Sequence, residues 1–147
     1  MTTKTQIQNH LEYLDYEVIT QDDNLGELIC SKEGAPPLLI ACTDSCIWFY
    51  ASYRINSIAK SNKDNFLIYI NNLNSKSFST NYFLTENEEI AFAGMYFGKY
   101  DKKIFSSFVS NWEYDVINKL DLENDTNLYL GDPNRVITNH KLNDAWA

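Results

Sequence analysis

The sequence predicts an α+β domain with an antiparallel sheet of about five strands and three helices. Short β-prone runs follow one another along the chain, and stretches with helical periodicity separate them into groups. The strand–helix–strand alternation that is typical of a parallel sheet is not found. The chain has 147 residues, 44% of them hydrophobic and 14% aromatic, so we expect one domain with a packed core of its own.

The charge balance limits the classes of partner. Twelve basic residues oppose 20 acidic ones, and the net charge of −8 repels nucleic-acid phosphates and anionic membrane surfaces. No apolar run approaches the ~20 residues that span a bilayer, and the stretch MTTKTQIQNH does not resemble a signal peptide. We therefore expect a cytoplasmic protein that binds neither nucleic acid nor membrane.

A helix and a meander of strands come first. In TTKTQIQNHLEYLDY, Ile7, Leu11 and Leu14 recur on one helical face, after a threonine pair that can cap the helix. YEVIT can add a few extended residues, and QDDNLG predicts a turn. The runs ELICSK, LLIACT and CIWFYASY then predict three antiparallel strands, separated by EGAPP and by the tight TDS connection.

A second helix, a hairpin and a third helix follow. In SNKDNFLIYINNLNSK, Ser61 and Asp64 have the spacing of a capping box, and the apolar face consists of Phe66, Ile70 and Leu73. STNYFLT and EIAFAGMYF predict a hairpin around ENE, and Asp101 caps the third helix. The broad apolar stripe of that helix consists of Ile104, Phe105, Phe108, Val109, Trp112, Val116 and Leu120.

The last part of the chain has a different composition. After Leu120 the sequence is rich in Asn, Asp and turn residues, with only isolated apolar positions. We interpret residues 1–120 as the domain and residues 121–147 as a C-terminal tail packed on or beside it.

Three stretches carry a family resemblance: GELICSKEGAPPLLIACTDSCIWFYASY, FLIYINNLNSKSFSTNYFLTENEEIAFAGMYFG and IFSSFVSNWEYDVINKL. With the order helix, three strands, helix, two strands, helix, they resemble the bacterial YbjN family, which shares its fold with type III secretion chaperones. The resemblance covers roughly residues 3 to 120. The family has no known catalytic residues, so the resemblance implies a fold, a non-enzymatic role, and a link to regulation or to holding another protein.

The cysteines are the first candidate for a metal or redox site. CTDSC places Cys42 and Cys46 across a tight turn, with Cys30 on the neighbouring strand. Zinc would need further ligands, and the only histidines are His10 and His140. We interpret the three cysteines as buried reduced thiols, with metal binding and redox sensing as alternatives.

Two acidic loops partly match a calcium loop. In DDNLGELICSKE, Asp22, Asn24 and Glu33 stand at the first, third and twelfth EF-hand positions, but the glycine comes one place early and flanking helices are not predicted. DLENDTNLYLGD offers Asp121, Glu123, Asp125 and Asp132. An acidic calcium-binding protein is therefore an alternative function, although our first expectation includes no metal and no cofactor.

Recognisable catalytic motifs are not found. The sequence has no G-x-S-x-G elbow and no Gly-rich phosphate loop, and Gly94 and Gly98 fit a strand interior and a strand end. A serine triad would have to recruit His10 or His140 from outside the predicted sheet. We expect no enzyme, with a small enzyme of unrecognised motif as a further alternative.

The strand EIAFAGMYF is apolar on both faces, and CIWFYASY shows the same pattern. Helices on one side of the sheet explain one face only. The other face could be covered by a second copy of the protein, by the tail through Trp146 or Leu130, by a client segment, or by the fold of the single chain.

These observations predict a non-enzymatic protein-binding module, chaperone-like or a regulatory adaptor, with a protein client or a homodimer as its partner. The candidate partner-binding residues are Trp48, Tyr50, Tyr82, Met95, Phe97 and Trp146.

Overall fold

The computed structural model describes residues 3–22, 27–43, 45–123 and 125–130. The strands are β1 (Glu17–Asp22), β2 (Glu27–Ser31), β3 (Leu38–Cys42), β4 (Cys46–Arg54), β5 (Thr80–Leu84) and β6 (Glu89–Phe97). The helices are α1 (Thr3–Tyr13), α2 (Ser57–Ser61), α3 (Lys63–Ser75), α4 (Lys102–Glu113), a π-helical turn (Tyr114–Asn118), α5 (Lys119–Leu122) and α6 (Thr126–Leu130). The predicted α+β class is confirmed.

The strands form one antiparallel sheet in the order β1-β2-β3-β4-β6-β5. Strands β4 and β6 are interior strands and pair along their whole length, from Cys46 opposite Phe97 to Arg54 opposite Glu89. The predicted meander and hairpin are both present. The sheet has six strands rather than five, because YEVIT begins a strand of its own, in which a register shift between Val18 and Thr20 interrupts the alternation.

The helices pack on one face of the sheet, which we call the covered face. Phe49 of β4 lies at its centre, and its ring makes edge contacts with Phe108 and Trp112 of α4, with centroids 4.9 and 5.4 Å apart. Gly94 of β6 lies beneath the same indole: a Cβ at this position would meet Trp112 Cε3 at 3.2 Å. The glycine therefore lets α4 approach the sheet closely.

The helix termini confirm one predicted cap and contradict another. Asp101 caps α4, because its Oδ1 accepts a hydrogen bond from the Ile104 amide at 3.0 Å. Ser61 does not cap α3: it ends α2 and donates its hydroxyl to the Ile58 carbonyl, and Asn62 precedes α3 without a side-chain cap.

Ile104 was wrongly placed in the apolar stripe of α4. It is exposed, because it lies one residue, about 100° of helix rotation, before Phe105.

The segment after α5 continues the covered side of the domain. Tyr129 and Leu130 are both buried in the main core, and the Tyr129 ring lies 5.3 Å from that of Phe66 on α3. The Tyr129 carbonyl accepts a hydrogen bond from the Asn56 amide at 2.9 Å. Leu130 therefore does not cover the other face of the sheet, which was one of the alternatives, and Trp146 lies outside the described residues.

Candidate binding surface on the second sheet face

The second face of the sheet is formed by the alternate residues of β2 to β6 that point away from the helices. The strand register fixes its layout in rows. One row runs across five strands through Ile29, Leu39, Tyr50, Ala93 and Asn81. The row on one side contains Ala41, Trp48 and Met95, and the row on the other contains Ser52, Ala91 and Phe83.

This face is apolar over most of its extent. Leu39, Tyr50 and Ala91 form a second, smaller core cluster with Ile29 packed against it. Within the described chain, all members of this cluster come from the sheet, and no helix contributes to it. Around the cluster the aromatic side chains become accessible, and Phe97 at the end of β6 is 72% exposed.

The shape of the second face follows from the sizes of its side chains. Ala91 and Ala93 lie next to each other on this face of β6, with Tyr50 on one flank and Phe83 on the other. Ala91 is fully buried and Ala93 is only partly exposed, so the larger neighbouring side chains close over the small ones. The accessible contact area on this face therefore comes from the larger side chains around the alanines, among them Trp48, Phe83 and Phe97.

One end of the second face is polar. The Ser52 hydroxyl donates to Glu89 Oε2 at 3.0 Å, and Arg54 stands opposite Glu89 across the two central strands. Burial, and then the nearby Glu89 carboxylate, raise the pKa of Tyr50. The phenol therefore stays neutral at physiological pH and can donate a hydrogen bond at the boundary between the apolar and the polar part.

Four of the six predicted partner-binding residues lie together on this face. Trp48 and Met95 are direct cross-strand neighbours, and Tyr50 and Phe97 come two residues further along their strands. Tyr82 was assigned to this surface wrongly. It points to the covered face, is buried, and donates its hydroxyl to the Asp115 carbonyl at 2.8 Å.

The outer edge of the sheet at β5 is closed by side chains. The Asn74 amide of α3 accepts from the Tyr82 N–H at 2.8 Å and donates to the Tyr82 carbonyl at 2.9 Å, as a neighbouring strand would. Just before β5, the Asp115 carboxylate accepts hydrogen bonds from the amides of Phe78 and Ser79. A partner strand cannot pair at these positions, so the face of the sheet is the better candidate surface.

The cysteines offer no reactive thiolate. Cys30 and Cys46 are buried, as predicted, and Cys42 is partly buried on the covered side. Burial raises the pKa of Cys30 to about 12 and that of Cys42 to about 11, so both thiols are protonated at neutral pH.

The described residues of the acidic loops form no assembled cation site. Glu123 forms an ion pair with Lys76 at 2.9 Å, whereas Asn24 and Asp132 lie outside the described residues. In residues 3–22, 27–43, 45–123 and 125–130, no group of three or more His, Cys, Asp or Glu side chains is placed to hold a metal ion.

One histidine contact was missed by the sequence reasoning. His10 of α1 lies with Nε2 2.9 Å from the Ser106 hydroxyl and with Nδ1 2.7 Å from the Tyr100 hydroxyl. Ser106 lies 96 residues from His10, so no local motif could indicate the pair. The third member is a phenol whose pKa is raised by burial; it carries no charge that would stabilise an imidazolium, unlike the carboxylate of a triad.

Comparison with known proteins supports the fold. The structure is similar to the crystal structure of YbjN, a provisionally assigned transcription regulator from E. coli, with a TM-score of 0.61 and 17% sequence identity over 78% of this chain and 86% of that one. The predicted YbjN-like fold is thereby confirmed. No protein-family model and no curated protein sequence matches the chain. None of the helices in the described ranges has the length and apolar character needed to cross a bilayer.

Proposed function

We propose that the protein is a non-enzymatic binding module that holds a segment of another protein on the second face, in a regulatory or chaperone-like role. One observation carries this proposal: Trp48, Met95 and Phe97 form a continuous apolar strip on a sheet face to which no described helix contributes core residues. Exposed apolar surface of this kind is typical of protein interaction sites.

The net charge of the chain indicates which charged residues a partner segment should carry. At a net charge of −8, the protein attracts a segment whose apolar anchor residues are flanked by lysine or arginine. A second copy would bring the same negative charge to the interface, and long-range repulsion would oppose its approach. We therefore favour a basic-apolar segment of a different protein over a homodimer.

A regulatory role agrees with the description of the structural neighbour. YbjN from E. coli is provisionally a transcription regulator, and regulation of that kind requires contact with DNA or with another protein. The acidic balance of this chain disfavours direct contact with DNA phosphates. Binding to a protein partner through the second face is the route that its surface supports.

Selection from a library of random 12-residue peptides displayed on phage tests the proposal. We expect the immobilised full chain to enrich sequences with two or more large apolar residues and adjacent Lys or Arg. The variant Phe97→Ser should weaken binding of the enriched peptides about tenfold, since an exposed aromatic anchor contributes roughly 1–2 kcal/mol.

Phe78→Ser is the matched control, because Phe78 is 65% exposed but lies before β5 beside Tyr114 rather than on the second face. It should leave peptide binding unchanged. The proposal fails if no peptide family is enriched, or if the enriched peptides bind wild type and Phe97→Ser equally well.

The C-terminal tail as a built-in occupant of the second face stays a prediction, because residues 131–147 lie outside the described part of the chain. A truncation that tests it should end after Leu130 rather than after Leu120, since Tyr129 and Leu130 belong to the core. If the tail competes with clients, this truncation raises the affinity for selected peptides and increases binding of a hydrophobic dye. Unchanged values for both would rule out competition.

A further inference from the structure

A cleft of about 360 Å³ lies between the N-terminal helix and the start of α4, away from the second face. Its lining consists of Gln6, Asn9, His10, Tyr13, Tyr100 and Lys102. The volume is at the lower end of the ~300–1,000 Å³ range of small-molecule sites. It can therefore hold a compact ligand of roughly ten non-hydrogen atoms, but not a folded partner.

The lining of the cleft has a charge opposite to that of the whole chain. It contains one ammonium group and no carboxylate, although the chain carries a net charge of −8. Lys99, Lys102 and Lys103 supply three of the chain's twelve basic residues within five positions at this end of α4. The one acid among them, Asp101, directs its Oδ1 to the Ile104 amide as the helix cap.

The side chain of His10 forms a fixed, uncharged part of the cleft. Both ring nitrogens are hydrogen-bonded, to Tyr100 and Ser106, and the ring packs edge-on against Phe105 with centroids 5.0 Å apart. Burial and then the positive charge of Lys102 lower its pKa. The Lys102 ammonium thus influences the His10 side of the cleft, whereas burial and then the Asp101 carboxylate raise the pKa of Tyr100.

The rim of the cleft carries a large apolar surface. Tyr13 at the end of α1 is 80% exposed, and its ring borders the same space as Tyr100. Aromatic faces bind flat groups by stacking and edge contacts. The cleft thus combines one cationic donor, the Gln6 amide and two phenol rings.

We propose that this cleft is a binding site for a small aromatic or similarly flat organic anion. The anionic group pairs with Lys102 and accepts a hydrogen bond from Gln6, and the flat apolar body lies against Tyr13 and Tyr100. The Gln6 amide belongs to α1 and the Lys102 ammonium to α4, so a bound anion would bridge these two helices. This site is independent of protein binding on the second face.

Three probes with the same ring and different charge test the proposal: benzoate, neutral benzamide and cationic benzylamine. Each is titrated into the ¹⁵N-labelled full chain at low ionic strength, and the imidazole resonances of His10 are followed by NMR. We expect benzoate to shift them with a Kd on the order of 1 mM, consistent with the affinity that a ligand of about nine atoms can reach. Benzamide should bind at least about tenfold more weakly, and benzylamine should cause no saturable shift.

Lys102→Glu and Lys103→Glu form a matched pair for the same titration. Both lysines are exposed on the first turn of α4 and both substitutions change the net charge equally, but only Lys102 lines the cleft. Lys102→Glu should weaken benzoate binding more than about tenfold, and Lys103→Glu about twofold or less. Equal binding of benzoate and benzamide, equal effects of the two substitutions, or shifts that bypass His10 would each overturn the assignment.

Discussion

Both faces of the sheet carry large apolar side chains, but their surroundings differ. On the covered face, the Phe49 ring lies 5.4 Å from that of Trp112, and Gly94 leaves room for the same indole. On the second face, Trp48 and Phe97 contact neighbours within the sheet, and the described helices supply no matching side chains. Alternation in a strand therefore indicates which side chains lie on each face, but not whether the partner of an apolar face belongs to the same chain.

The polar groups of the two faces differ in the same way. On the covered side they join different elements of the domain: Asp115 of the π-helical turn holds the residues just before β5, and the Lys119 ammonium of α5 donates to the Leu73 carbonyl of α3 at 2.6 Å. On the second face, Ser52 and Glu89 bond to each other across β4 and β6. The polar groups of the covered side thus hold separate elements of the domain together, whereas Ser52 and Glu89 bond within the sheet.

The largest expected difference between the faces is in the cost of removing a phenyl ring. Phe49→Ala should lower the free energy of unfolding by about 3–5 kcal/mol, because it leaves a cavity among the rings of α4. Phe97→Ala should change it by less than about 0.5 kcal/mol, because the ring is accessible. Urea unfolding followed by tryptophan fluorescence measures both, and comparable losses would mean that the second face is packed as tightly as the first.

A smaller loss of stability is expected when the Asp115 carboxylate, which links the π-helical turn to the residues before β5, is removed. Asp115→Ala leaves the Phe78 and Ser79 amides without their acceptor, and the loss should be about 2–3 kcal/mol. Glu86→Ala, at an exposed position of the β5–β6 turn, is the control and should be neutral. Hydrogen exchange should show faster exchange of the Phe78 and Ser79 amides in the Asp115 variant only. Protected amides there would contradict the role assigned to the carboxylate.

The sequence predicted the fold class because its periodicities are strong where the core is formed. The alternation in β6 correctly divided Phe92 and Met95 between the two faces, and the helical stripe correctly placed Phe108 and Trp112 on one side of α4. In β5, two adjacent aromatic residues did not indicate which face of the strand packs against the helices. Tyr82 and Phe83 are both aromatic and point to opposite faces, so composition could not show which of them faces the helices.

The contacts that the sequence could not show are those between distant side chains. The Asn74 amide imitates a strand edge for Tyr82, and Asp115 binds backbone amides 37 and 36 residues before it. Neither has a local pattern, because an Asn or Asp near a helix end is more often a cap or a solvated residue. The cleft beside His10 depends on how α1 packs against α4, which is decided by the core and not by the residues of the cleft.

Adding one heavy atom to each face in turn should also distinguish the two faces. Gly94→Ala brings a methyl group to 3.2 Å from Trp112 Cε3, and the buried indole has to move, so we expect a loss of about 1–2 kcal/mol. Ala93→Ser adds one atom on the second face and should cost less than about 0.5 kcal/mol. Thermal unfolding followed by near-UV circular dichroism distinguishes them. A neutral Gly94→Ala would show that α4 can retreat from the sheet without loss of packing.

The smallest effect concerns the contact between α1 and α4 and depends on pH. Burial, followed by Lys102, lowers the pKa of His10 in the folded protein, so the unfolded chain takes up a proton first as the pH falls below about 6.5. The free energy of unfolding therefore keeps its full value above that pH and declines below it, by at most about 1.4 kcal/mol per pH unit. His10→Gln should remove this slope between about pH 7 and pH 5.5, and His140→Gln should keep it. Urea unfolding at a series of pH values measures the slope. If the pH dependence of the free energy of unfolding persists in His10→Gln, another group titrates in this range. The imidazole of His10 would then not be the source of the pH dependence.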